Sequence, residues 1–244
     1  MKAIDKRARI AGAIYLSMIL VAPFAMIYVP NRLFVRGDAT ATATNVLAHE
    51  TLFRLGIGAG VIAHVIFIAL AFALYRLLSD VNRFWAQVMV ALVLISATIG
   101  LANTANHFAA LTLFRGGQFL DAVDSTQRNA LGMFFIRLHW QGDLVNEVFW
   151  GAWLFPFGLL VYRCGFLPRF IGGWLIANCF AWLVLCWIGL FAVDHYNLAL
   201  KLAQPFFFAE IVIMLWLLIR GAKPTFWNAT DRSTLPRLSL PVLF

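Results

Sequence analysis

Charged side chains are scarce in this sequence of 244 residues. Asp, Glu, Lys and Arg make up 12% of it, while hydrophobic residues make up 62% and the mean hydropathy is +0.83. Soluble globular domains contain about 25% charged and about 45 to 50% apolar residues. The shortage of charge excludes an ordinary soluble domain and indicates a polytopic membrane protein.

Familiar catalytic and cofactor motifs are absent as well. The sequence contains no HExxH, P-loop, GxSxG or GxGxxG pattern, so it does not indicate the enzyme and nucleotide-binding classes that these motifs mark. The three cysteines show neither CxxC nor metal-ligand spacing, which is typical of inert thiols. The residues therefore leave open whether the protein is an enzyme, and they name no reaction.

Six apolar runs are long enough to cross a bilayer. A transmembrane helix needs about 20 mainly apolar residues to span a hydrocarbon core about 30 Å thick. We therefore predict an all-α bundle of six transmembrane helices. The runs cover residues 10–29, 55–75, 84–114, 144–162, 170–193 and 198–219.

The segments next to the third and fourth spans suggest further helical structure. The third run would be about 46 Å long at 1.5 Å per residue, and an apolar pattern begins near residue 131, well before the fourth run. Either both helices project beyond the membrane, or residues 129–140 form a seventh, short interfacial helix. In the first long loop, Asp38, Thr40 or Thr42 is suited to cap a helix that continues through His49 into the second span.

Basic residues accumulate on one side of the predicted bundle. With the N-terminus inside, twelve Lys and Arg residues fall on the cytoplasmic side and five on the outer side, as expected from the retention of basic loops. We predict that both termini are cytoplasmic, with one transmembrane domain at residues 1–223 and a loosely ordered tail at 224–244. The net charge of +8 then reflects topology, and nucleic acid is not an expected partner.

Ionisable and amide side chains interrupt the apolar runs at a few positions. Such groups are costly in hydrocarbon and are usually paired inside a bundle or part of a site. Helical spacing places several of them on shared faces, and all lie in the outer half of the predicted bundle. We predict that these faces line an outward-facing polar pocket. Its residues are Glu50, Arg54, Asn103, Asn106, His107, Arg137, His139, Asp143, Asn146, Glu147 and Glu210.

Some of these residues are equally consistent with a purely structural role in the bundle. Glu50 and Arg54 have the spacing of an intrahelical ion pair. Asn103 and His107 suit hydrogen bonds between helices, which contribute about 0.6 kcal/mol each in membranes. His64 stands alone on an apolar face and is expected to be a buried histidine without a functional role.

Glu147 and Glu210 are the stronger candidates for a functional site. A carboxylate deep in a membrane must be protonated, paired or bound to a metal. Arg137 is either the counter-charge of one of these carboxylates or a side chain that reaches the outer headgroups.

Two classes of function remain open. In the first, the pocket binds a small molecule or an ion without chemistry, as in a receptor, a carrier or an accessory subunit, with lipids and either partner subunits or further copies of the chain around it. In the second, His107, His139 and Glu147 hold a metal that activates water against a lipid-like substrate. Haem held by the two histidines is a variant of the second class. We favour the first class because no enzyme motif is present.

Five stretches resemble a known family. They are RIAGAIYL at 9–16, GDATATATNVLAHETLFRLG at 37–56, ALYRLLSDVNR at 73–83, GLLVYRCGFLPRFIGGWL at 158–175 and EIVIMLWLLIRG at 210–221. Their order and spacing are similar to those of the bacterial membrane family catalogued as domain of unknown function 4386. The resemblance implies a bundle of six to seven helices in the bacterial inner membrane, and it implies no activity.

Overall fold

The computed structural model describes residues 3–222, which form seven helices, a short 3-10 turn in one connection and another at the start of the last helix, and no strand. Six of the helices are long and apolar enough to cross a membrane, so the prediction of a six-span helical bundle is confirmed. They are α1 (Ala3–Leu33), α3 (Glu50–Leu78), α4 (Arg83–Arg115), α5 (Ser125–Arg163), α6 (Arg169–Phe191) and α7 (Val193–Arg220). The seventh helix, α2 (Ala39–Ala48), is short. The predicted tail at 224–244 lies outside the described residues.

Successive spans run in opposite directions, so the bundle has two distinct ends. The basic end contains the start of α1 and the two short connections at residues 79–82 and 164–168. The loop end contains α2 and the longer connection at residues 116–124. The cytoplasmic location of the basic end stays a prediction from the positive charge.

Helix α2 begins as predicted but ends sooner. The Asp38 carboxylate accepts the Ala41 N–H at 2.8 Å, which confirms Asp38 as a cap. The helix does not continue into α3, because His49 leaves the helical conformation with φ −126° and ψ 41°. Instead, the Thr42 hydroxyl accepts the Val35 N–H at 2.9 Å and holds α2 against the preceding turn. In this position α2 packs on α5 and on the last turns of α4.

Residues 129–140 are part of α5 and do not form a separate helix. The Asp124 carboxylate caps α5 by accepting the N–H groups of Thr126 at 2.8 Å and Gln127 at 3.0 Å. The helix then runs without interruption to Ala152, and a second segment continues from Leu154 to Arg163. With 39 residues, α5 is about 58 Å long at 1.5 Å per residue, much longer than a hydrocarbon core.

Two clusters of buried hydrophobic side chains hold the bundle together. The larger one fills the basic end and the middle and contains Tyr15, Phe67 and Trp153. The smaller one lies at the loop end and contains Phe53 and Ile136. Along α3, α4 and α5, several small or polar residues lie between the two clusters. They include His64, Ser96, Gly100, Asn103, His139, Asp143 and Glu147.

Candidate functional site

Most of the polar side chains predicted to share one pocket lie in four places. Glu50 and Arg54 belong to an ion network at the loop end. A second group forms a polar layer between α4 and α5. Glu147 pairs with a side chain of α7. Of the predicted residues, Glu210 alone is among those that line the cavity described below.

The ion network joins two helices at the loop end. Glu50 accepts from the Nε of Arg54 at 2.6 Å, and its other oxygen accepts from the Nε of Arg115 at 2.9 Å. The spacing of Glu50 and Arg54 is visible in the sequence, whereas Arg115 is 65 positions away from Glu50 and only the fold brings it close. Arg137 is exposed, and within residues 3–222 it is in no ion pair.

The polar layer is built around the side chain of Asn103. Its Nδ2 donates to the His139 carbonyl at 2.8 Å and to Asp143 Oδ1 at 3.0 Å, and its Oδ1 accepts from Asn106 Nδ2 at 2.8 Å. In return, the His139 Nδ1 lies 3.0 Å from the Asn103 carbonyl. A Cβ atom at Gly142 would overlap the Asn103 amide, so this close approach of α4 and α5 requires glycine. The layer therefore joins α4 to α5 with hydrogen bonds in both directions.

His107 and His139 stack face to face within this layer. Their ring centroids are 3.6 Å apart and their planes differ by 28°. An edge of the Phe53 ring also contacts His107, at a centroid distance of 5.4 Å. Haem ligation by two histidines needs an iron between their ring nitrogens, and rings in direct contact leave no room for it. Across residues 3–222, no group of three or more His, Cys, Asp or Glu side chains is arranged to hold a metal ion.

Glu147 is buried, with 4% of its surface exposed. Its Oε1 accepts a hydrogen bond from the Tyr196 hydroxyl at the start of α7, while its Oε2 has no partner within the described residues. The neighbouring Asn146 turns to the other side of α5 and donates from Nδ2 to the Ser96 carbonyl at 3.2 Å. Sequence reasoning missed Tyr196, because it lies 49 positions from Glu147.

A cavity of about 230 Å³ lies between α1, α3, α5, α6 and α7. Its wall is mainly apolar and aromatic, and the two ionisable side chains in it are His64 and Glu210. The sequence reading of His64 as a buried histidine without a role missed this position. The lining residues are Met18, Ala22, Ala25, Met26, Gly60, Ala63, His64, Phe67, Trp150, Trp153, Trp182 and Glu210.

Two neutral side chains hold the Glu210 carboxylate in place. The Tyr15 hydroxyl donates to Oε2 at 2.6 Å, and the Asn178 Nδ2 donates to Oε1 at 3.0 Å. The Trp182 indole N–H is close to the same carboxylate without a hydrogen bond of ordinary geometry. Glu210 lies ten residues from the end of α7 at the basic end and 17 from its start. It is therefore near the middle of the bundle, deeper than predicted.

The family model described as Domain of unknown function (DUF4386) matches residues 10–221 of this chain. The chain belongs to this family. The resemblance seen in the five sequence stretches is thereby confirmed. Neither a curated protein nor a solved structure matches the chain. Because the family description names no activity, the chemistry of the side chains in this DUF4386 protein is the basis for proposing a function.

We predict that Asn103→Ala lowers the stability of this DUF4386 protein by about 1 to 2 kcal/mol. The substitution removes three side-chain hydrogen bonds, and such bonds contribute on average about 0.6 kcal/mol each in membranes, with a maximum of about 1.7. Unfolding in mixed micelles, titrated with a denaturing detergent, measures the change. The control is Asn197→Ala, because Asn197 is exposed on α7. Equal midpoints for the two variants would show that the layer contributes nothing to stability.

Proposed function

We propose that this protein is a membrane-embedded binding protein that holds a small, largely apolar molecule in the cavity, with a polar group of that molecule at Glu210. The observation that carries the proposal is a cavity with apolar walls and one fixed carboxylate. Binding sites for small molecules are typically concave, mainly apolar, and equipped with a few placed polar groups. Its volume of about 230 Å³ is below the range of about 300 to 1,000 Å³ that is usual for such sites, which favours a small ligand.

The cavity is accessible beside an irregular segment of α1. Met26 lines the cavity and is also 50% exposed, so the cavity reaches the surface of the bundle there. Met26 belongs to the π-helical segment Phe24–Tyr28, which directly follows Pro23. Single-turn π segments occur frequently at functional sites. Because this opening is about 10 Å from the loop end of α1 at 1.5 Å per residue, a ligand dissolved in the bilayer would reach it from the side.

The chemistry of the cavity favours binding over catalysis. The described residues that line it include no Ser, Cys or Lys to serve as a nucleophile. The Glu210 carboxylate is held by a hydroxyl and an amide, an arrangement that positions it without a nearby general acid. We further propose that the protein acts in the bacterial cytoplasmic membrane with its basic end inside, surrounded by lipids. Partner subunits and self-association stay predictions.

Filling the cavity is expected to expel the natural ligand. A Cβ atom at Gly60 would meet nothing nearer than the Ala25 Cβ at 3.9 Å, so Gly60→Leu places a larger side chain in the cavity with little backbone strain. Gly58→Leu is the matched control on the same helix, because a Cβ atom there meets nothing within 4 Å and Gly58 does not line the cavity.

The experiment extracts each protein from its own membranes in polymer-bounded discs and identifies bound small molecules by mass spectrometry. The wild type and Gly58→Leu are expected to carry one compound in roughly equimolar amount, and Gly60→Leu at least about ten times less. Thermal midpoints of the two variants serve to confirm that both are folded. The same compound at the same level in all three proteins, or none above background in the wild type, would contradict a binding function for this cavity.

A further inference from the structure

We infer that the ligand of the cavity is a small hydrophobic cation, a protonated amine with an apolar body, that pairs with Glu210. This inference rests on the proposed binding function and specifies the chemical class of the ligand. Three observations carry it. They are the donors around Glu210, the lack of a basic partner for it in the described part of the chain, and the aromatic wall beside it.

The surroundings of Glu210 suit a carboxylate anion. Each oxygen accepts one hydrogen bond, Oε2 from the Tyr15 hydroxyl and Oε1 from the Asn178 amide. Hydrogen bonds donated to a carboxylate favour its charged form, and such charge-assisted bonds are stronger than neutral ones. Because Glu210 lies in the membrane interior, ionisation is costly and the charged form needs a cation beside it.

Among residues 3–222, no basic side chain is placed to pair with Glu210. Within residues 3–222, Glu210 takes part in no ion pair, and the residues lining the cavity include neither Lys nor Arg. Arg9, on the same helix as Tyr15, is bound elsewhere, to Asp5 at 3.3 Å and to the Leu218 carbonyl at 3.2 Å. An isolated carboxylate in a membrane interior is costly, so a cation entering the cavity supplies the missing partner.

The rest of the cavity wall suits an organic cation better than a metal ion. Trp150, Trp153 and Trp182 line it, and indole faces attract organic cations more strongly than other aromatic side chains do. Trp182 is held in place by Phe207, with ring centroids 4.5 Å apart. His64 also lines the cavity, and its ring makes no hydrogen bond with the described residues, so the unprotonated nitrogen of the neutral ring can accept an N–H. A protonated amine with an apolar body is therefore complementary both to the carboxylate and to the aromatic wall.

A pair of probes of nearly equal shape isolates the role of charge. N,N-dimethylbenzylamine is protonated at neutral pH, and isobutylbenzene has carbon in place of its nitrogen and carries no charge. Binding of both probes is measured by ligand-observed NMR on the full-length protein in lipid nanodiscs, with empty nanodiscs subtracted to remove partitioning into lipid. The variants are Glu210→Gln, Glu210→Asp and, as a control carboxylate outside the cavity, Glu50→Gln.

The wild type is expected to bind the amine at least about ten times more tightly than isobutylbenzene. Glu210→Gln should abolish this preference, whereas Glu210→Asp, which keeps the charge, and Glu50→Gln should retain it. Equal binding of the two probes to the wild type, or an unchanged preference in Glu210→Gln, would overturn the inference of a cationic ligand. In those cases the Gly60→Leu variant should still bind the probes more weakly than the wild type does, and the binding function would stand. Failure of both probes to bind, combined with no natural compound in the wild type, would contradict the binding function itself.

Discussion

Replacing Trp153 by alanine is expected to lower the free energy of unfolding by about 3 kcal/mol. Trp153 is 2% exposed and lies at the centre of the larger hydrophobic cluster. Its ring stacks on Phe157 with centroids 5.3 Å apart and meets Phe67 edge-on at 5.2 Å. Truncating a buried Trp to Ala typically costs about 3 to 5 kcal/mol in soluble proteins. The lower value applies here because lipid is as apolar as the bundle interior, so the lost packing makes up most of the cost.

The matched control for this prediction is Trp187→Ala. Trp187 is 61% exposed on the outer face of α6, and surface substitutions usually change stability by less than about 0.5 kcal/mol. Both variants are compared with the wild type by reversible unfolding in mixed micelles. If Trp187→Ala were as destabilising as Trp153→Ala, the contacts around Trp153 would not be the source of its effect. Since Trp153 also lines the cavity, Trp153→Ala should in addition admit bulkier probes than the wild type does.

Replacing Gly172 by alanine is expected to cost about 2 to 3 kcal/mol by separating α5 from α6. A Cβ atom at Gly172 would lie 2.6 Å from the Gly158 carbonyl oxygen and 2.6 Å from the Tyr162 backbone nitrogen. Overpacking usually costs about 1 to 3 kcal/mol. We expect the upper part of this range because both neighbours are backbone atoms, which cannot turn aside as a side chain can. Small residues that allow close backbone approach are typical of helix interfaces in membranes.

The adjacent residue provides an unusually close control. A Cβ atom at Gly173 would meet nothing within 4 Å, and alanine has a higher helix propensity than glycine by about 0.8 to 1.0 kcal/mol. Gly173→Ala should therefore leave the thermal midpoint unchanged or raise it, while Gly172→Ala lowers it. A similar decrease of the thermal midpoint in both variants would point to a general effect of glycine replacement on α6. It would contradict the close contact between α5 and α6 as the cause.

Features that depend on neighbouring residues in the chain were predictable from the sequence. Runs of about 20 apolar residues identified the six spans, because the thickness of the bilayer sets their length. Asp38 was one of three candidate caps, and it follows the preference of a short acidic side chain for the position just before a helix. The ion pair of Glu50 with Arg54 follows from their separation of four residues on one helix face.

Contacts between distant segments were not predictable in the same way. Glu147 and Glu210 were identified as important carboxylates, but their partners Tyr196, Tyr15 and Asn178 have no sequence spacing that reveals them. A helix shows which residues share a face, and it does not show which other helix that face contacts. For that reason the predicted set of pocket residues is divided among several places in the structure.

The sequence by itself determined that this chain is a helical membrane protein with six spans and a set of polar residues that hydrocarbon does not tolerate unpaired. Only the tertiary structure decided which of these residues serve the bundle and which face a cavity. Asn103 and His139 are used to join α4 to α5, while Glu210 faces open space beside three tryptophans. The physical reason is that composition and helical period act along one helix, whereas a cavity is the space that several helices leave between them when their side chains have packed.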